Sequence, residues 1–131
     1  MSNFLDVPAL LDVTVGKTQF MRARWHVARE LASTLVIPWC VAAEAARALD
    51  EAGAAELRHV LAAPMVVISP RDAESALACG RMTSRTSTMV GWDAAQIIHE
   101  SLARGWPVVT DEARLGRLLD VEPYLSFERL P

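Results

Sequence analysis

Short apolar runs alternate along this chain with longer stretches of helical periodicity. Asn3-Phe4-Leu5-Asp6, Leu35-Val36-Ile37-Pro38, Met65-Val66-Val67-Ile68 and Pro107-Val108-Val109-Thr110 are brief and aliphatic, the pattern of buried strands. Between 18 and 33, Met21, Trp25, Ala28 and Ala32 recur at spacings of three and four. That spacing predicts one face of an amphipathic helix, with Arg22, Arg24 and Arg29 lying largely elsewhere. The intervening stretch with Pro8 and Gly16 reads as a loop. A further helix is predicted from about Val41, bent or interrupted at Gly53 and continuing to Leu61. Ser69-Pro70-Arg71-Asp72 carries a helix-start signature, and that helix should end near Gly80. The polar stretch Arg81 to Gly91 reads as a loop, and Trp92 to Arg104 as a helix stopped by Gly105. A helix over Glu112 to Leu119 and a last strand over Tyr124 to Phe127 complete the prediction.

Strands that alternate with helices pair in parallel through βαβ units. The fold class is therefore α/β, a mostly parallel sheet of about five strands flanked by helices. With 131 residues, 52% of them hydrophobic, the chain is expected to form one domain over 1–131 around one core. A net charge of −3 argues against a generally basic surface for non-specific nucleic-acid binding. Cys40 and Cys79 show no metal or redox spacing and read as reduced thiols. No apolar stretch is long enough for a bilayer, and Met-Ser-Asn opens no export signal, so no membrane association and a cytoplasmic location are expected. His26, His59 and His99 fit neither a metal spacing nor a nucleophile pair, and no glycine-rich phosphate loop is present.

What remains is a set of acids at one predicted edge of the sheet. Asp6 ends the first strand, Glu44 lies early in the helix after the second, and Asp93 opens the helix that begins at Trp92. Asp111 or Glu112 follows the strand that ends at Thr110. Ligands of open parallel sheets bind outside the carboxyl ends of the strands. Carboxylates gathered there without lysines predict a site for a hard cation such as Mg²⁺ or Mn²⁺. Glu44 stands out because Val41, Ala45 and Ala48 share its helix face, and a desolvated glutamate needs a partner. Trp39 and Trp92 adjoin these motifs, as walls of the site, and Arg81 and Arg85 precede Asp93 as candidate phosphate contacts.

In order and spacing, Phe4-Leu5-Asp6, Pro38 to Glu44, Asp93 to Ile98 and Pro107 to Glu112 resemble the PIN-domain family over nearly the whole chain. The length is similar to that of stand-alone toxins of the VapC type. The resemblance implies a Mg²⁺- or Mn²⁺-dependent ribonuclease. Asp6, Glu44 and Asp93 would be its metal-binding acids, with Asp111 or Glu112 as a fourth catalytic carboxylate; independently of the resemblance, Arg81 and Arg85 are the candidate RNA-phosphate contacts, and Thr110 at the strand end is placed to hydrogen-bond a carboxylate or a metal-bound water beside the substrate. The resemblance also implies an antitoxin partner and a homodimer, with Phe20, Val27 and Leu31 available as an apolar face. Two positions depart from the family pattern. Pro8 replaces a small polar residue two places after the first aspartate, and Glu112 stands where the late motif carries Asp. A non-catalytic PIN-like interaction or regulatory domain is the alternative.

Overall fold

The fold is seen in a computed structural model that describes residues 2–16, 18–70, 72–85 and 90–131. Five strands form one sheet: β1 (Asn3–Leu5), β2 (Leu35–Pro38), β3 (Val66–Ser69), β4 (Val108–Thr110) and β5 (Phe127–Arg129). Their spatial order is β3-β2-β1-β4-β5, and every pairing is parallel. Phe4 sits opposite Val36 on one side and Val108 on the other. Phe4, Leu5, Val36, Ile37, Val108 and Val109 have no exposed surface, as central strands covered on both faces require. β3 and β5 form the edges, and there Val67, Ile68 and Phe127 remain partly exposed.

The helices are α1 (Val7–Leu11), α2 (Gln19–Glu30), α3 (Trp39–Arg47), α4 (Glu51–Leu61), α5 (Ala73–Arg85), α6 (Trp92–Arg104) and α7 (Glu112–Val121). α6 supplies much of the core: residues 94 to 98 are all buried, Ile97 and Ile98 completely. It ends as predicted at Gly105, whose φ of 70° is the left-handed conformation that glycine adopts without strain.

Several element predictions need correction. The stretch after Asp6 is not a loop but α1 followed by a π-helical turn, Asp12–Gly16. Pro8 is compatible with it because a helix's first turn needs no proline N–H. The break between α3 and α4 falls before Asp50, which caps α4 by accepting from the Gly53 N–H at 2.8 Å. Gly53 itself lies inside α4, where a Cβ would come within 2.9 Å of the Leu49 side chain. It is thus a close-packing glycine and not a bend. Ser69 belongs to β3, and α5 starts after Asp72, which accepts from the Ser75 N–H. α5 runs through Gly80 to Arg85, so Arg81 and Arg85 are helical; residues 86–89 of the predicted polar loop lie outside the described residues, as does Arg71, and Gly91 caps α6. The last strand is shifted to Phe127–Arg129. Both cysteines are free thiols, Cys79 buried and Cys40 partly so.

Candidate active site

The strand order reverses direction between β1 and β4. A parallel sheet leaves a crevice there, outside the strand ends, because the two flanking connections leave on opposite faces. Asp6 and Thr110 are the residues at that crevice, one just past β1 and the other last in β4. Asp6 is wholly buried and stands at the N-cap of α1, yet its carboxylate makes no cap bond. Pro8 occupies the second helical position, where an N-cap side chain would ordinarily find an N–H, and offers none. The carboxylate instead accepts from the Thr110 hydroxyl at 2.9 Å. The polar neighbour that Pro8 cannot supply therefore comes from β4.

Asp93, at the second position of α6, reaches the same place from the other side. A guanidinium joins the two acids. Arg114 Nε donates to Asp6 Oδ2 at 3.0 Å, and Arg114 Nη2 donates to Asp93 Oδ2 in a short charge-assisted bond. Burial would lower the Arg114 pKa, but the charges and hydrogen bonds of Asp6 and Asp93 outweigh it and raise the pKa above the ordinary arginine value. Gly91 precedes α6 for a steric reason. A Cβ at this position would lie 2.6 Å from Asp93 Oδ1. Gln96, buried one turn into α6, accepts from the Cys40 N–H at 2.9 Å and so ties the start of α3 to α6.

Above the pair lies an open cavity of about 670 Å³, lined by Trp39, Glu44, Arg47, Trp92, Asp93 and Arg114 among others. Glu44 is thus on the wall of the same cavity as Asp93. Its carboxylate is not the desolvated group expected from its helix face, however: it is 41% exposed and accepts from Arg47 at 2.5 Å. Among the described residues, no group of three or more Asp, Glu, His or Cys side chains is gathered closely enough to hold a metal ion. The acidic cluster expected as a trio is a tight pair with a third acid on the rim.

The remaining candidates are dispersed. Asp111 caps α7 by accepting from the Arg114 N–H at 2.8 Å, and so sets the helix that carries Arg114. Glu112 is exposed and pairs with Arg129 at 3.3 Å. Arg81 and Arg85 do not line the cavity, and Arg85 borders a different depression with Met82, Leu102 and Glu122. His26 and His59 lie on helix surfaces as expected. The important residue that sequence reasoning missed is Arg114. Its signal was present: Arg114 precedes buried Leu115 and stands one turn before buried Leu118, a charge on an inward helix face.

A five-stranded parallel sheet in this order, with acids at the crevice beside its central strands, is the PIN-like α/β architecture that the motif order implied. No protein-family model and no curated protein sequence matches the chain. Solved structures do. The chain is similar to a chain in the crystal structure of VapBC2 from Rickettsia felis bound to a DNA fragment from its promoter, with a TM-score of 0.72 and 14% identity over 98% of both chains. It is also similar to a chain of VapBC-1 from nontypeable Haemophilus influenzae, with a TM-score of 0.64 and 13% identity over 98% of both. At such identities the likeness establishes a shared fold and leaves the chemistry to the residues of this chain. Among the described residues, no helix is long and apolar enough to cross a membrane.

Proposed function

We propose that this chain is a divalent-cation-dependent endoribonuclease acting as the toxin of a toxin–antitoxin pair. One observation carries the reading: Asp6 and Asp93, from different elements, converge on a single positive group beside the reversal point of the sheet. Two such buried carboxylates suit a hard cation, and Mg²⁺ or Mn²⁺ is the class that takes oxygen ligands of this kind. Asp6 and Asp93 would hold the cation, and Glu44 would reach it from the cavity wall directly or through water. Once bound, the cation would lower the pKa of a water molecule and neutralise charge on a phosphodiester. Thr110 keeps the Asp6 carboxylate turned into the crevice. Asp111 acts through α7 rather than as a ligand, because its carboxylate is engaged at the helix cap.

Arg114 stands where the cation would be. The guanidinium and a divalent ion compete for the same carboxylate oxygens, so loading requires Arg114 to swing away. This competition also supports the second reading, a non-catalytic interaction domain, in which Arg114 permanently bridges the pair and Glu44 remains with Arg47. An antitoxin partner is supported by the neighbouring structures being VapBC assemblies. The homodimer rests on Val27 and Leu31, which are exposed on and just after α2; Phe20 is packed against the core instead. The deciding experiment is RNA cleavage with Mn²⁺, Mg²⁺ or EDTA. Metal-dependent cleavage by the parent protein, abolished in Asp6→Asn and Asp93→Asn, is the expected result. No cleavage with any divalent ion would favour the interaction domain.

A further inference from the structure

Two of the four tryptophans are not core residues. Trp39 is 45% exposed and Trp92 59% exposed, and both line the cavity above the Asp6–Asp93 pair. Each is the first residue of its helix, α3 or α6, at the end that faces the crevice. The helix register explains how they come to be there. On α3 the buried stripe is Val41 and Ala45, and on α6 it begins at Asp93, so each indole falls one step outside the core. Gln96 fixes the two helix starts against each other through the Cys40 N–H. Both indole platforms are therefore held on rigid elements.

The charges of the cavity constrain what those platforms receive. Glu44 pairs with Arg47, and Arg114 is shared by Asp93 and the buried Asp6, so every one of these charges has an internal partner and the cavity carries no positive excess. Among the described residues, such a lining has no excess of positive charge to select an acidic peptide, and its acids are already engaged by arginines against a basic one. It also gives little of the counterion release that drives binding through phosphates. Flat, exposed indoles bind flat, exposed ligands, and the bases of an unpaired strand present such faces. In a duplex those faces are buried in the stack and the grooves show only edges.

We propose that Trp39 and Trp92 form a stacking platform for the bases of an unpaired RNA strand, which holds the intervening backbone over the Asp6–Asp93 pair. The proposal deepens the nuclease reading and rests on it for the choice of RNA. The platform reads base faces and not the ribose 2′-hydroxyl, so single-stranded DNA of the same sequence is bound about as well, and single-strandedness is the property selected.

The test uses the full chain in EDTA, where no cleavage occurs. Tryptophan fluorescence is followed during titration with a short single-stranded RNA of mixed sequence, the same sequence as DNA, and the RNA in duplex form. Quenching by both single strands and none by the duplex is expected. Trp39→Ala and Trp92→Ala should each weaken single-strand binding about tenfold, and Trp39→Phe and Trp92→Phe should restore most of it. Both sites are exposed, and melting curves establish that the variants are folded. Binding should also change little with salt, because stacking releases few counterions. Unchanged affinity in the alanine variants, equal binding of the duplex, or a steep salt dependence would each overturn the platform. A protein partner that shields both indoles while RNA causes no quenching would overturn it as well. The nuclease reading is tested separately by adding Mn²⁺. Cleavage by a protein whose alanine variants bind RNA normally removes the platform and leaves the nuclease. Single-strand binding lost in those variants, with no cleavage in Mn²⁺, removes the nuclease and leaves the platform.

Discussion

Arg114→Met removes one charge and keeps most of an apolar stem. The parent buries Asp6 completely, leaves the Asp93 side chain 12% exposed, and leaves Arg114 21% exposed. Removing one member of a buried ion pair costs about 3–5 kcal/mol, because the remaining charge is left in a poor solvent. Water can reach the vacated space, and Thr110 still donates to Asp6, so the low end applies, about 3 kcal/mol. For a domain of this size that is a fall in melting temperature of roughly 10 °C. The assay is a pair of thermal melts, in EDTA and in saturating Mn²⁺. On the proposed reading, Mn²⁺ would have to displace Arg114 in the parent before it gains the carboxylates, and in the variant it would not. A ligand at a hundred times its Kd adds about 2.7 kcal/mol. Mn²⁺ should therefore return most of the lost melting temperature to Arg114→Met and raise the parent by much less. If the variant in EDTA melts within about 2 °C of the parent, Arg114 is not the counter-charge of a buried pair. If Mn²⁺ raises both proteins equally, the arginine and the metal do not compete.

Thr110→Val keeps the shape of the side chain and deletes the hydroxyl bonded to Asp6; we expect a loss of about 1.5–3 kcal/mol in urea unfolding and a weaker Mn²⁺ response. Gly91→Ala should lower the melting temperature although φ is an ordinary −70° there, because the added Cβ pushes Asp93 off Arg114, and it should reduce both Mn²⁺ stabilisation and any cleavage. Asp6→Asn should melt lower than the parent in EDTA, because Arg114 loses a charged partner; a higher melting temperature would mean that carboxylate repulsion dominates the crevice after all. At Asp72, the Ser75 N–H lowers the carboxylate pKa, so the stability it contributes is full above the ordinary carboxylate range and lost as pH falls through the lowered value. Asp72→Ala should accordingly melt slightly below the parent at neutral pH and level with it in strong acid.

Alternation of short aliphatic runs with amphipathic spacing was enough to identify an α/β chain with a parallel sheet, because strand and helix periods differ and parallel strands need long connections. It also pointed to one edge for Asp6, Glu44 and Asp93, since residues that follow β-strands or open helices share the carboxyl side of such a sheet; Glu44 and Asp93 line one cavity there, and Asp6 joins Asp93 through Arg114. Local pattern misled wherever a long-range contact decided the outcome. Glu44 looked buried from its helix neighbours, but a helix at a cavity rim exposes one flank of its apolar stripe, and Arg47 is within reach there. Pro8 looked like a defect beside Asp6, but the stabilising hydroxyl comes from Thr110, more than a hundred positions away in sequence and adjacent through the β1–β4 pairing. Arg81 and Arg85 precede Asp93 closely in sequence, yet α5 carries them away from the cavity. Arg114 lay unnoticed because its partners belong to β1 and α6, and only the closed fold brings them together. Periodicity reports which side of an element faces inward; which charge meets which is decided by the order of strands in the sheet.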